Sequence, residues 1–153
     1  MANNATSVSK KLLKVFLIMI TAALIFLSIG VFIHRCGISV EPPFGSAWSW
    51  GLALLILSVS CGIALPILMR TIFHEQAIKR RKVDFERFTS FQIYLIIVSL
   101  SAAFFACLAY LFLVPKFHLY ASVLAGLYGV YSSIPSEKKI AGEMKYYGLN
   151  KAE

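Results

Sequence analysis

Charged residues are scarce in this chain of 153 residues: 14% are Asp, Glu, Lys or Arg, while 59% are hydrophobic. Soluble domains carry about 25% charged residues, because a water-facing surface requires them. A chain of this length cannot bury so much apolar surface in a core of its own. The composition therefore argues against an ordinary soluble domain and predicts a protein that uses the bilayer as its solvent.

Reactive motifs are also lacking. The three cysteines, Cys36, Cys61 and Cys107, are far apart and form no C-x-x-C pair, so no local redox or zinc site is predicted. The sequence has no G-x-S-x-G elbow and no phosphate-binding glycine loop. We expect a protein that is not an enzyme and has no cofactor. Despite the net charge of +8, nothing indicates a nucleic-acid-binding module.

Four apolar runs account for most of the chain, namely residues 12–33, 48–69, 88–114 and 117–134. About 20 apolar residues cross a bilayer as a helix, and none of the runs alternates with a period of two. We therefore predict an all-α membrane protein, a single domain over residues 1–153 with four transmembrane helices in an up-down-up-down bundle.

The positive charges predict the orientation of this bundle. Of the 15 Lys and Arg residues, all but Arg35 and Lys116 fall in the N-terminal segment, the loop at 70–87 or the tail at 135–153. Because cytoplasmic segments are enriched in Lys and Arg, both ends of the chain are expected in the cytoplasm. No organellar transit sequence is apparent, so a bacterial inner membrane is the expected location.

Three local patterns predict how the helices are connected. Pro115-Lys116 leaves almost no link between the third and fourth runs, which predicts a tight antiparallel hairpin. The loop at 70–87 has no Pro or Gly and should extend its flanking helices beyond the bilayer or form a short helical piece between them. Pro66 should kink the second helix.

The tail carries the pattern of a short amphipathic helix. Ser136 is a suitable N-cap, and Gly148 is a natural stop. Ile140, Met144 and Tyr147 repeat at i, i+4 and i+7, so they share one face. We expect this helix to lie on the inner membrane surface.

Two further patterns indicate contact surfaces. Small residues recur at every fourth position of the last run, which predicts a helix-packing face against the third helix or another protein; they are Ala121, Ala125, Gly129 and Ser133. The densest charge is the basic cluster Lys79, Arg80, Arg81 and Lys82. We expect it to bind anionic lipid headgroups or an acidic partner.

The leading hypothesis for function is a non-catalytic accessory, scaffold or assembly subunit of a membrane complex, with other subunits or further copies of the chain as partners. The apolar runs have no Asp, Glu, Lys or Arg away from their ends, which counts against coupled transport. A small homo-oligomeric transporter or pore lined by Ser58, Ser99 or Ser101 stays as the alternative. A third hypothesis is a haem or metal site formed by the outer histidines, His34 and His118.

Overall fold

The computed structural model describes residues 2–43, 45–80 and 83–149, and these contain helices and turns but no strand. The helices are α1 (Ala2–Arg35), α2 (Ala47–Val59), α3 (Leu65–Arg80), α4 (Phe85–Leu111), α5 (Lys116–Ser133) and α6 (Glu137–Tyr146). A π-helical segment, Ser60–Ala64, joins α2 to α3 without a break. The prediction of an all-α protein is confirmed for the described residues.

Three helical stretches are long and apolar enough to cross a membrane, namely Thr6–Arg35, Ala47–Lys79 and Phe85–Leu111. The helix α5 is present where the fourth span was predicted, but it is not among the three. Its sequence includes Lys116, His118 and three tyrosines, which lower its mean hydropathy. A multi-pass membrane protein is therefore supported, whereas the fourth span stays a prediction.

The predicted kink at Pro66 takes the form of a π-helical turn. Proline has no N–H, so Pro66 cannot donate to the carbonyl four residues earlier, that of Gly62. One residue before it, the Leu65 N–H reaches back five residues to the Ser60 carbonyl. This wider turn keeps the helix continuous through the proline. Beyond it, α3 runs to Arg80 and α4 begins at Phe85, so the loop does extend its flanking helices as expected.

The hairpin between α4 and α5 closes through a Schellman motif at residues 109–114. The Val114 N–H donates to the Ala109 carbonyl and the Leu113 N–H to the Tyr110 carbonyl. Leu113 has a φ of +48°, the left-handed conformation that usually belongs to glycine. The turn brings α5 back along α4, so the predicted neighbours are in contact.

The central helix of the bundle is α4, which contacts α1 along one side and α2 and α5 along the other. A cluster at one end, here called the tail end, joins α6 to parts of α1, α3 and α4. Its buried members include Leu12, Phe73, Phe88, Ile140 and Met144. The opposite end, with the α4–α5 turn, is called the hairpin end.

The apolar face of α6 is buried by protein rather than turned to a lipid surface. Ile140 and Met144 are each only 3% exposed. They pack beside Val8 and Leu12, because α1 begins ten residues before the predicted span and offers an apolar face there. The predicted helix is present, and its apolar face is covered by protein rather than by lipid, whereas its expected position at the inner membrane surface stays a prediction.

Candidate functional site

The small-residue face of α5 lies against α4 and the π segment. A Cβ on Gly129 would lie 2.4 Å from the Ser99 carbonyl oxygen, and one on Gly62 would lie 2.7 Å from the Ala125 carbonyl oxygen. Ser133 and Ala125 are also buried, while Ala121 is half-buried. The backbones thus approach closely along this face, within the chain itself.

Buried hydroxyl groups lie on the three helices that meet at this interface. Ser58, Ser99 and Ser122 are 0% exposed. The Ser58 hydroxyl donates to the Ala102 carbonyl at 3.4 Å, whereas those of Ser99 and Ser122 have no partner within the described residues. Ser101 donates to the carbonyl of Val98 in its own helix. The serines suggested as pore-lining therefore lie in closely packed or locally bonded positions.

His34 and His118, the histidines suggested as a haem or metal site, both lie at the hairpin end but contact different neighbours. The His34 Nε2 donates to the Tyr110 carbonyl at 3.1 Å, and its ring meets the Tyr110 ring edge-on. His118 is 8% exposed, lies over Gly51 and contacts the Trp48 ring edge-on at 5.9 Å. A nitrogen that donates a proton in this way cannot also bind a metal, so ligation by this atom of His34 would require that bond to break.

The basic cluster at residues 79–82 falls mostly outside the described side chains. Lys79 is exposed near the end of α3. Arg81 and Lys82 lie outside the described residues, and Arg80 is described only as the last residue of α3. The expected lipid or partner contact of this cluster stays a prediction.

A network of polar contacts at the tail end fastens α6 to the bundle. The Gln92 amide of α4 donates to the Glu143 carboxylate, and the Lys139 ammonium donates to the Ser132 carbonyl at 3.0 Å. In a more solvent-exposed contact, the Tyr146 hydroxyl and the His74 Nε2 share a hydrogen bond at 3.3 Å. Because Gln92 and Glu143 join different helices, this contact positions α6 by more than apolar packing.

A pocket of about 320 Å³ opens between α3, α4 and α6 beside this network. Its charged lining consists of Arg70, Lys138, Lys139 and Glu143. Burial lowers the pKa of Lys139, and nearby Arg70 lowers it further, while Glu143 acts in the opposite direction. Arg70 and Lys139 are therefore close enough to repel one another.

An aromatic wall completes the pocket. Phe91, Tyr146 and Tyr147 line it, and Phe73 stacks on Phe91 with ring centroids 4.0 Å apart. Burial raises the pKa of Tyr147, with Glu143 as the next cause. Packing against these neighbouring rings holds the wall in place.

Sequence reasoning missed this pocket because it counted Arg70, Lys138 and Lys139 only as determinants of orientation. A signal was present in the tail, since Lys139, Glu143 and Tyr146 recur at i, i+4 and i+7 beside the apolar stripe. The contribution of Arg70 comes from another helix, and no local pattern indicates that it lies beside α6.

No protein-family model matches this chain, and comparisons with curated proteins and with solved structures find no match. The functional proposals therefore depend on the physical features of the chain.

Proposed function

We propose that this chain is a four-span protein of a bacterial inner membrane, with both ends in the cytoplasm, and that it serves as a non-catalytic accessory or scaffold subunit of a membrane complex. Several features of α5 support the fourth span. It contacts both α2 and α4, helices that belong to apolar spans. Phe117 and Tyr120 are exposed at its hairpin end and Tyr131 at its tail end, as in the aromatic belts of membrane helices.

The contacts between helices also support alternating directions. Gly51 of α2 lies beside His118 of α5, and Gly62 lies beside Ala125, so these two helices run the same way. By contrast, the Schellman turn reverses the chain between α4 and α5. Together with the distribution of Lys and Arg, this arrangement favours the up-down-up-down order with both ends inside.

The main observation in support of the accessory role is that one face of α1 is not covered by the rest of the chain. Only 17% of its most apolar part is buried within the chain, compared with 22% for the stretch Ala47–Lys79 and 39% for Phe85–Leu111. Its uncovered face is an open surface on a single helix, lined by residues that include Thr21, Ile25, Ser28 and Phe32. Because helices in a bilayer associate by van der Waals packing, we propose this face as the side where a helix of another subunit or a second copy binds.

Site-specific photo-crosslinking in native membranes tests this role. A photoreactive residue at Ile25, on the uncovered face of α1, should give a discrete protein adduct. The matched control is Leu127, which is similarly exposed (60% against 57%) but lies on α5. Adducts with lipid alone at both positions, together with a monomer that purifies without other proteins, would refute the accessory role. Membrane fractionation and labelling of introduced cysteines test the location and the orientation separately.

A further inference from the structure

The pocket at the tail end has an excess of positive charge. Three cations, Arg70, Lys138 and Lys139, line it together with a single carboxylate, that of Glu143. The carboxylate accepts a hydrogen bond from the Gln92 amide, which holds it against α4. The pocket as a whole therefore carries two more positive than negative charges, which favours an anionic ligand.

The two lysines have different surroundings. The Lys139 ammonium donates to the neutral Ser132 carbonyl, and its pKa is lowered by burial and by Arg70. A negative charge placed between Arg70 and Lys139 would relieve this repulsion. Arg70, Lys138 and Lys139 all have exposed side chains, so the three cations surround the open side of the pocket, where a ligand can reach them.

The position and size of the pocket restrict the ligand. Arg70 is the first charged residue after the apolar stretch that begins at Ala47, so it lies where a membrane span ends. Lipid phosphates occupy this level of a bilayer. A pocket of about 320 Å³ is at the small end of the range for compact ligands. Its tyrosine and phenylalanine rings suit the amphipathic region beside a headgroup.

We propose that this pocket binds a single phosphate group, carried by an anionic lipid headgroup or by a small soluble phosphate ester. Arg70 supplies a planar guanidinium that pairs with two phosphate oxygens, and the lysines supply point charges. The proposal concerns residues other than the basic cluster at 79–82. It does not depend on the accessory role, because binding is measured on the isolated protein.

The test is thermal unfolding of the purified full chain in a neutral detergent with three additives. These are phosphatidylglycerol, phosphatidylcholine as the zwitterionic lipid control, and glycerol phosphate as the soluble ester. The variants are Lys138→Gln and Arg70→Gln. Lys145→Gln removes the same charge from the same helix, but Lys145 does not line the pocket. Lys139 is left unchanged because its hydrogen bond to Ser132 supports the fold.

We expect phosphatidylglycerol or glycerol phosphate to raise the Tm in a dose-dependent way, whereas phosphatidylcholine does not. Each pocket variant should weaken the apparent affinity by about tenfold, the effect of losing one charge-assisted contact. Lys145→Gln should bind like the unchanged protein. A shift with the lipid alone identifies a headgroup as the source, and an equal shift with the soluble ester identifies a free phosphate compound. The proposal is overturned if neither additive shifts the Tm, or if Lys145→Gln weakens binding as much as Lys138→Gln.

Discussion

The close approach of α4 and α5 can be tested with a single methyl group at Gly129. The Cβ of an alanine there would lie 2.4 Å from the Ser99 carbonyl oxygen, whereas ordinary van der Waals contacts begin at 3.4 Å. The obstructing atom belongs to the backbone, so it cannot move aside as a flexible side chain would. The two helices must therefore separate by about 1 Å, which forfeits about a quarter to a half of the dispersion energy at each affected contact.

The expected cost follows from two opposing effects. Overpacking of a tight interface costs about 1–3 kcal/mol. Replacing glycine by alanine within a helix returns up to about 1 kcal/mol. We therefore expect Gly129→Ala to lower the free energy of unfolding by about 1–2 kcal/mol. Reversible unfolding in mixed micelles, titrated with a denaturing detergent and followed by circular dichroism, measures this change.

A matched control is available on α6. A Cβ on Gly142 would have nothing within 4 Å, so Gly142→Ala should gain about 0.5–1 kcal/mol from helix propensity alone. The same chemical change should thus have opposite signs at the two sites. If Gly129→Ala were as stable as the unchanged protein while Gly142→Ala gained stability, the tight contact between α4 and α5 would be refuted.

Three further predictions concern the turns and the tail. Leu113→Gly should raise the free energy of unfolding by about 1 kcal/mol, because Leu113 has a φ of +48°. Gly37→Ala, at a φ of +73°, should lower the free energy of unfolding by a similar amount. Chemical denaturation measures both, and changes of the same sign in the two variants would contradict this reasoning. Met144→Ala should destabilise the tail end by about 2–4 kcal/mol, because the Met144 side chain is only 3% exposed. The same variant should be cleaved faster within α6 in limited proteolysis. An unchanged cleavage rate would refute the packing of α6 on the bundle. The pKa of Tyr147 is raised above 10.0, so its neutral phenol stabilises the fold below that pH, and this contribution is lost as the pH rises through the raised value. In Tyr147→Phe, the free energy of unfolding should therefore fall less steeply at alkaline pH. A dependence on pH identical to that of the unchanged protein would contradict this prediction.

The helices themselves could be predicted from the sequence because membrane spans are determined by local composition. Runs of about 20 apolar residues identify them without knowledge of tertiary contacts. The small-residue pattern of α5 likewise indicated a tight face, and Gly129 does lie there. The π-helical form of the Pro66 distortion was not foreseen, because the proline shows that a donor is lost but not how the helix compensates.

The position of α6 could not be derived from its own residues. An apolar stripe suits a lipid surface and a protein surface equally well, so Ile140 and Met144 alone do not distinguish them. The apolar face of α6 packs on protein because Val8 and Leu12 provide an apolar face at the start of α1. The tail-end pocket was missed for the same reason, since its cations come from two helices that are distant in the sequence.

The contact between α1 and α6 has a consequence for biosynthesis. Because α1 precedes α6 in the chain, Val8 and Leu12 stay without their contacts to Ile140 and Met144 until the intervening helices have been made. Contacts of such sequence separation form late in folding, and until then the apolar surface is open to chaperones and proteases. A chain interrupted after α5 would keep these helices but leave this surface uncovered. The tail end is therefore closed only after all the helices from α1 to α5 have been made.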